Sequence, residues 1–271
     1  MAQVVVVTSG KGGVGKTTST AALGAALARA GGRVVVIDFD VGLRNLDLVM
    51  GAERRVVFDL IHVVQGSARL SQALIRDKRI DTLFLLAASQ TRDKDALTDD
   101  GVERVIRELR LSYDWIICDS PAGIERGASL AMRYADLAVV VANPEVSSVR
   151  DSDRIIGLLD STTEKAKRGE QMDKHLLLTR YDPIRAGRGE MLSIEDVLDI
   201  LCIPLLGIIP ESKDVLQASN MGTPITLNSP TSASARAYND AARRLRGDHV
   251  PLVVPSDRKT LFSKFLGRRA A

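Results

Sequence analysis

The sequence predicts an α/β fold in which a doubly wound, mostly parallel sheet carries helices on both faces. Short β-branched runs alternate with helical patterns along most of the chain, as they do in repeated βαβ units. Aromatic residues make up only 4% of the 271 residues, so Val, Ile, Leu and Ala must build the core. Such a core suits strands that are buried on both faces. The length fits one domain with a short appendage.

Several segments have the composition of buried strands. Each is a short, mostly apolar run bounded by polar residues or turn residues. Right-handed crossovers between such strands bring the loops that follow them to one edge of the sheet, where ligands bind. The predicted strands are 4–8, 34–38, 83–87, 115–119, 137–142, 175–179 and 205–209.

Helical patterns lie between these strands, with no internal repeat or low-complexity tract. Their alternation with the strands is what predicts parallel pairing rather than hairpins. The predicted helices include 17–30, 99–111, 147–160, 194–201 and 232–245.

The pattern changes near residue 250. Residues 248–255 hold two prolines around a short apolar run, as a tether does, and a basic amphipathic segment follows. We therefore predict a compact domain over 1–250 and a linker with a tail over 251–271.

Charge is concentrated in that tail. Residues 257–271 carry five bases and one acid, and subtracting their +4 from the net charge of +3 leaves the body at −1. A nearly neutral body argues against a broad nucleic-acid surface. The chain has no apolar run of transmembrane length and no signal-peptide pattern, so we expect a cytosolic protein.

Residues 10–17 read GKGGVGKT and fit the P-loop pattern, with a predicted strand before them and a helix after them. Glycines let the backbone wrap closely around phosphate oxygens, and the helix N-terminus adds partial positive charge. A lysine and a hydroxyl at the end of the loop suit phosphate and Mg²⁺. A glycine-rich turn without a ligand is the plainer alternative. The predicted nucleotide-binding residues are Lys11, Gly12, Gly13, Val14, Gly15, Lys16, Thr17 and Thr18.

Two other predicted strands end in acids that suit nucleotide chemistry. Asp38 ends one strand, with Asp40 two residues on, and Asp119 ends another. Apolar strands ending in Asp hold the metal, or its water ligands, in P-loop enzymes. A helix N-cap is the ordinary role for such a residue, so two of them beside one P-loop are more telling than one.

Lys11 needs a separate explanation, because the P-loop pattern requires only Lys16. It is either a solvated loop charge or an extra charge for phosphates, including those of a neighbouring molecule, as an arginine finger is.

These residues resemble the deviant Walker A (ParA/MinD) family of P-loop ATPases, whose hallmark is Lys-Gly-Gly-x-Gly-Lys-[Thr/Ser]. Segments 38–47, 88–97 and 143–153 and the basic tail are similar to the Min members, so the resemblance covers nearly the whole chain. It implies ATP and Mg²⁺ as cofactors, slow hydrolysis and a homodimer in the ATP-bound state.

The same resemblance implies roles for individual residues. Lys11 would reach the partner's nucleotide and, with Lys16 and Asp40, serve catalysis, Asp40 by positioning the attacking water. Thr17, Asp38 and Asp119 would serve the metal, Asp38 through water. The switch loops would contain Asp40, Asn45, Asp119 and Gly123, and the adenine pocket Arg180 and Pro210.

Residues 145–153 mix acids, serines and an arginine at the start of a predicted helix, which is ordinarily a solvated helix N-terminus. In Min proteins this region faces the division inhibitor MinC and the regulator MinE. The resemblance thus implies a partner surface at Glu145, Ser148, Asp151 and Asp153. It also implies that the protein places the division septum.

The tail predicts a membrane contact. Leu261, Phe262, Phe265 and Leu266 form one stripe of a short helix flanked by bases such as Lys264, a composition that favours anionic membranes. Packing against the body is the alternative. With the resemblance, we expect ATP-dependent binding to the cytoplasmic face of the cell membrane and no binding to nucleic acid.

Three alternatives share the same loop. A ParA-like DNA-partitioning ATPase requires a basic stripe on the body. A nitrogenase-iron-protein type of redox enzyme requires two cysteines near the dimer axis, whereas Cys118 lies in a strand pattern that predicts a buried, reduced thiol. A monomeric ligase or kinase requires an acceptor site, for which the sequence has no candidate.

Overall fold

The computed structural model describes residues 2–90 and 96–256. Within them the chain forms an eight-stranded sheet with the order β3-β4-β2-β5-β1-β6-β7-β8. All neighbouring strands pair in parallel except β3, which is antiparallel to β4. The strands are β1 Gln3–Thr8, β2 Val34–Asp38, β3 Ile75–Arg76, β4 Leu83–Leu86, β5 Trp115–Asp119, β6 Leu137–Ala142, β7 Asp173–Tyr181 and β8 Leu205–Pro210.

Helices connect these strands, and a short 3₁₀ turn spans Glu53–Arg55. The helices are α1 Lys16–Arg29, α2 Leu46–Val49, α3 Leu60–Val64, α4 Leu70–Ala73, α5 Asp99–Arg110, α6 Arg126–Arg133, α7 Val146–Thr162, α8 Glu164–Lys167, α9 Pro183–Gly187, α10 Ile194–Leu201, α11 Lys213–Asn220, α12 Ile225–Asn228 and α13 Ala233–Leu245.

The doubly wound fold predicted from the sequence is confirmed. Each predicted strand and helix is present within about two residues of its predicted ends, as boundary uncertainty allows. Among the described strands, β3 was not predicted, because its two residues are too few for a periodic signal. Most of the helices that were not predicted are single turns, which are also too short for a periodic signal; these helices are α2, α3, α4, α6, α8, α9, α11 and α12.

Both faces of the sheet are buried, as a parallel sheet requires. Successive residues of β1 belong to different core clusters: Val4 and Val6 face one layer, and Val5 and Val7 face the other. Helices α5, α6, α7 and α10 contribute to the first layer, whereas α1 and α13 contribute to the second. The core is therefore a three-layer sandwich built from small aliphatic residues.

Helix α1 lies unusually close to the sheet. A Cβ at Gly24 would stand 2.7 Å from Cγ1 of Val36, so only glycine allows this approach. The close approach fixes the loop between β1 and α1 relative to the carboxyl ends of β1, β2 and β5. Asp38 and Asp119 are partners in the register of β2 and β5, so their carboxylates meet at that edge.

Cys118 is buried in β5 and Cys202 is exposed, and both are free thiols, as expected for a chain without a disulfide framework. No helix in residues 2–90 and 96–256 has the length and apolarity needed to cross a membrane. Residues 257–271, with the predicted membrane residues Leu261, Phe262, Lys264, Phe265 and Leu266, lie outside the described part of the chain. The domain boundary near residue 250 thus stays a prediction.

Candidate nucleotide site

The glycine-rich loop joins β1 to α1 in a conformation that depends on two glycines. Gly13 and Gly15 have φ angles of 76° and 99°, in the left-handed region that a Cβ disfavours. Gly15 is the N-cap of α1, and the helix begins at Lys16. The loop therefore presents its backbone N–H groups at a helix N-terminus, the arrangement that binds phosphate.

Lys16 lies inside this loop and is only 8% exposed. Its Nζ donates to Oγ of Ser9 at 2.9 Å and to the carbonyl oxygen of Lys11 at 3.3 Å. Burial lowers the pKa of Lys16, and the charges of Asp119 and Asp40 oppose that effect. Since both hydrogen-bond acceptors are neutral, a phosphate oxygen can replace them at a gain in charge pairing.

Two buried carboxylates lie at the strand ends beside the loop. The carboxylate of Asp38 accepts hydrogen bonds from the backbone N–H groups of Asp40 (2.8 Å) and Leu46 (3.1 Å). Asp119 accepts from the Thr20 hydroxyl at 3.0 Å. Asp38 therefore fixes the start of the loop after β2, and Asp119 is tied to α1.

Burial and a neighbouring negative charge raise the pKa of both carboxylates. Burial raises the pKa of Asp119 to about 7, although hydrogen bonds from Thr17 and Thr20 lower it. Burial, and then the charge of Asp119, raise the pKa of Asp38 well above its ordinary value. A cation bound between them would relieve both effects.

The residues present fit Mg²⁺. The Thr17 hydroxyl and the two carboxylates offer hard oxygen ligands, which Mg²⁺ prefers, whereas the described residues contain no cluster of three His, Cys, Asp or Glu side chains. Mg²⁺ is commonly held by one or two protein groups together with waters and phosphates. Thr17, Asp38 and Asp119 would hold the ion together with waters and the phosphates of the nucleotide.

The predicted switch residues lie around this centre. Asp40 is half-buried just after β2, and Asn45 is exposed just before α2. Gly123, with a φ of 84°, donates its backbone N–H to the carbonyl oxygen of Ser9 at 3.3 Å. The loop after β5 is thereby attached to the phosphate loop itself.

Lys11 is held by the start of α7 in the same chain. Its Nζ lies 2.8 Å from Oε2 of Glu145 and 2.9 Å from Oγ of Ser147. The hydrogen bond from Lys11 is the main reason why the pKa of Glu145 is lowered. The sequence left open whether Lys11 is a solvated loop charge or an extra charge for phosphates. In this conformation Lys11 is not freely solvated, because it is hydrogen-bonded to two side chains.

The predicted partner surface needs one correction. Ser148 is fully buried, where its hydroxyl accepts from the backbone N–H of Asn143 at 3.2 Å and donates to the side-chain oxygen of that residue. It cannot contribute to a surface in this conformation, and Ser147 is the exposed serine instead. The burial of Ser148 could have been predicted from the sequence, because its spacing from Ser152 and Ile155 places all three on one face of the helix.

The other members of that surface differ in position. Glu145 and Asp153 are exposed, and Asp151 is half-buried. The backbone of Asp151 lies against the phosphate loop, since a Cβ at Gly10 would stand 2.2 Å from the Asp151 carbonyl oxygen. Helix α7 therefore contacts the phosphate loop at two places, through Gly10 and through Lys11.

A cavity of about 320 Å³ opens beside the loop. Its walls include Gly15 and Thr18 from the phosphate site and Arg180 and Pro210, the two residues predicted for adenine. Sequence reasoning missed Tyr238, whose hydroxyl lies 3.0 Å from Oγ of Ser19. A tyrosine 219 residues from its partner gives no local signal.

Comparison with known proteins identifies the family. A model of the CobQ/CobB/MinD/ParA nucleotide binding domain matches residues 5–225. The septum site-determining protein MinD of Neisseria meningitidis serogroup B is 56% identical over 271 residues, which cover 98% of this chain and 100% of that protein. The chain belongs to the MinD family. Because the 56% identity extends over nearly the full length of the chain, it favours the Min members of the family over the DNA-partitioning alternative.

Solved structures of MinD proteins have the same fold. The MinC:MinD cell division protein complex of Aquifex aeolicus contains a chain that is 42% identical, with a TM-score of 0.85 over 94% of this chain and 100% of that one. MinD of Pyrococcus horikoshii, solved with Mg-ADP, is 31% identical, with a TM-score of 0.80 over 90% of this chain and 96% of that one. This MinD-family chain is an ATPase that uses ATP and Mg²⁺.

Proposed function

We propose that the protein is an ATP-dependent dimerisation switch that places the division septum. In the ATP state it binds the membrane and recruits the division inhibitor MinC, and MinE-stimulated hydrolysis releases it. The observation that carries this proposal is the unequal placement of the two loop lysines. Lys16 is buried inside the loop, whereas the side chain of Lys11 is 37% exposed and is held by an exposed ion pair with Glu145 and a hydrogen bond to Ser147.

The phosphate site works mainly by positioning charge. When bound, ATP with Mg²⁺ supplies the phosphoryl group that water attacks. The loop N–H groups hold the phosphates, Lys16 exchanges its neutral acceptors for a phosphate oxygen, and Thr17 and Asp119 orient the ion. Asp40 orients the attacking water. None of these groups needs to form a covalent intermediate, as is usual for phosphoryl transfer.

Lys11 connects this chemistry to a second molecule. An exposed pair such as Lys11–Glu145 contributes only about 0–1 kcal/mol, so the lysine can leave Glu145 at little cost. A neighbouring nucleotide offers a more highly charged acceptor. When each of two chains places its Lys11 at the nucleotide of the other, the two form a homodimer that lasts only while the phosphate is present.

The loops that follow β2 and β5 can report the presence of phosphate. The hydrogen bonds from Leu46 to Asp38 and from Gly123 to Ser9 attach both loops to groups beside the phosphate site. Losing the terminal phosphate changes the partners of those groups and hence the loops. Slow turnover then serves as a timer, and a partner that orders the loops accelerates it.

The membrane step depends on the tail. Each base near an anionic surface contributes roughly 1 kcal/mol, and burial of a Leu or Phe side chain roughly 1.5–3 kcal/mol. Ordering and lost translational freedom offset most of this sum for one tail. Two tails on a dimer gain about 10²–10⁴ in avidity, so dimerisation decides whether the protein is on the cytoplasmic face of the membrane.

Lys16→Gln tests the switch. We expect this variant to remain monomeric with ATP and Mg²⁺ in size-exclusion chromatography with light scattering, while the wild-type protein dimerises. Arg246→Gln, which removes an exposed positive charge far from the loop in sequence, should dimerise normally. Normal dimerisation of the Lys16 variant would overturn the proposed role of the loop.

A further inference from the structure

The chain after α13 follows a defined path back along the body. Helix α13 ends at Leu245, and Gly247, with a φ of 90°, turns the chain. Residues 248–256, which we call the tether, then continue without helix or strand to the last described residue. Such a segment has no ladder hydrogen bonds of its own, so side chains of the body must determine where it lies.

Arg244 makes the contacts that hold the tether. Its Nε donates to the carbonyl oxygen of Val250 at 2.9 Å, and its Nη2 donates to that of Pro251 at 2.6 Å. Its Nη1 donates to the carbonyl oxygen of Leu206, in β8, at 2.7 Å. One planar guanidinium therefore connects α13, β8 and the tether, a geometry that the single ammonium of a lysine cannot reproduce.

These contacts direct the tether toward the nucleotide edge of the sheet. Leu206 lies near the beginning of β8 and Pro210 at its carboxyl end, while the Ser234 hydroxyl at the start of α13 donates to the Pro210 carbonyl oxygen. A cavity of about 470 Å³ runs between these ends, with both Arg244 and Ser256 in its walls. The apolar residues of the tether lie along it together with residues from α13 and α9: Pro183, Ala233, Ala237, Leu252, Val253 and Val254.

Chain length agrees with this path. Five extended residues from 252 to 256 span about 17 Å, and the six residues of β8 span about 20 Å. The tether thus leaves Arg244 near the amino end of β8 and reaches the neighbourhood of Pro210 by residue 256. Pro210 also borders the cavity assigned to adenine.

We infer that Arg244 is a positioning residue that fixes the exit point of the C-terminal tail at the nucleotide edge of the sheet. The inference deepens the proposed membrane function and rests on it for its consequence. A fixed exit point limits the volume that each tail can search. When Arg244 is lost, residues 250 and 251 are no longer held to the body, so the connection between the body and the tail lengthens, and the effective concentration of the second tail on a dimer falls with that length.

The first measurement tests the position alone and needs no membrane. Spin labels at Arg188→Cys, just after α9, and Ser256→Cys, in full-length protein with Cys202→Ser, report one intramolecular distance, since Cys118 is buried. Double electron–electron resonance should give a narrow distribution for the parent and a longer, broader one for Arg244→Gln and for Arg244→Lys. Arg246→Gln removes the same charge from an exposed position and should leave the distribution narrow.

The second measurement tests the consequence with the unlabelled, full-length variants. In co-sedimentation with vesicles containing anionic phospholipid and ATP, Arg244→Gln should bind about two- to tenfold more weakly, with unchanged dimerisation by light scattering. Arg246→Gln should bind within twofold of wild type. An unchanged distance distribution in both Arg244 variants, or unchanged vesicle binding beside a broadened distribution, would overturn the inference. Failure of the wild-type protein to bind vesicles with ATP would instead overturn the proposed membrane function, and would leave the distance result standing.

Discussion

Asp40 lies half-buried in the loop after β2, where its backbone N–H donates to the carboxylate of Asp38. Burial lowers the pKa of Lys16, and the charge of Asp40, like that of Asp119, opposes this effect. Its side chain is thus close to the phosphate site while its backbone is fixed by a second acid. This placement suits a group that orients water without holding the metal.

Replacement of Asp40 by Ala should separate dimerisation from hydrolysis. The variant keeps Lys16, Lys11 and the backbone hydrogen bond to Asp38, so we expect ATP-dependent dimers by light scattering. Phosphate release should fall at least tenfold, in line with the usual contribution of a group that positions a reactant. Asp153→Ala, an exposed acid on α7, is the control. Release at the wild-type rate would remove Asp40 from catalysis.

Asp119 makes stability depend on pH in an unusual direction. Its pKa is raised to about 7 in the folded protein from 3.8, mainly by burial. Between these values the folded state binds a proton that the unfolded state has lost, so rising pH lowers the free energy of unfolding. The contribution is present at low pH and is lost as pH rises through about 7.

Urea unfolding without nucleotide or Mg²⁺ measures this effect. From pH 6 to pH 8 the contribution of Asp119 to the free energy of unfolding should fall by about 1 kcal/mol. In Asp119→Asn, which cannot ionise, this part of the pH dependence should disappear. Equal slopes for wild type and variant would show that another group is responsible.

At the scale of elements, the phosphate loop rests on helix α7. Gly10 is in contact with the backbone of Asp151, and Lys11 is in contact with Glu145 and Ser147 just before and within α7. Any change at the start of α7 therefore has a direct route to the loop. A partner bound at Glu145 would compete with Lys11 for the same carboxylate.

Gly10→Ala tests the first of these contacts. The added Cβ would lie 2.2 Å from the Asp151 carbonyl oxygen, so the loop and α7 must separate. We expect the free energy of unfolding to fall by about 1–3 kcal/mol and ATP binding to weaken. Gly157→Ala, in the same helix with no atom within 4 Å of its Cβ, should instead stabilise the protein by about 0.5–1 kcal/mol. Equal effects of the two substitutions in calorimetry would contradict this view of the contact.

The elements that sequence reasoning located are those with a strong local signal. Strand β5 and helix α10 match their predicted ranges because apolar periodicity and flanking polar residues determine both. Strand β3 depends on pairing with β4, and Tyr238 reaches the nucleotide cavity only through the packing of α13 on α1. The resemblance placed Ser148 on the partner surface, whereas its position on the buried face of α7 puts it in the core.

For the whole molecule, strand order brings the site together. Because β1 lies between β5 and β6, and β2 lies next to β5, the phosphate loop, Asp38 and Asp119 share one edge of the sheet. The motifs predicted these residues, and the parallel arrangement predicted their common edge. The hydrogen bonds between Lys11 and the start of α7, and those between Arg244 and the tether, could not be predicted, since each depends on contacts between different segments of the folded chain.

In the proposed switch, the bound nucleotide decides whether the protein is on the membrane or in solution. In this view the loop controls dimerisation, dimerisation controls the number of tails, and two tails suffice for membrane binding when one does not. Phe262 belongs to the apolar stripe that the sequence predicts for the tail, and a charge at this position opposes burial of the stripe in a membrane.

Co-sedimentation with anionic vesicles in ATP, ADP and no nucleotide tests that claim most directly. Wild-type protein should sediment with vesicles in ATP and remain in the supernatant in ADP or without nucleotide. Phe262→Glu should remain in the supernatant in all conditions while it still dimerises with ATP. Equal sedimentation of the wild-type protein in all nucleotide states, or ATP-dependent binding that survives Phe262→Glu, would contradict the account.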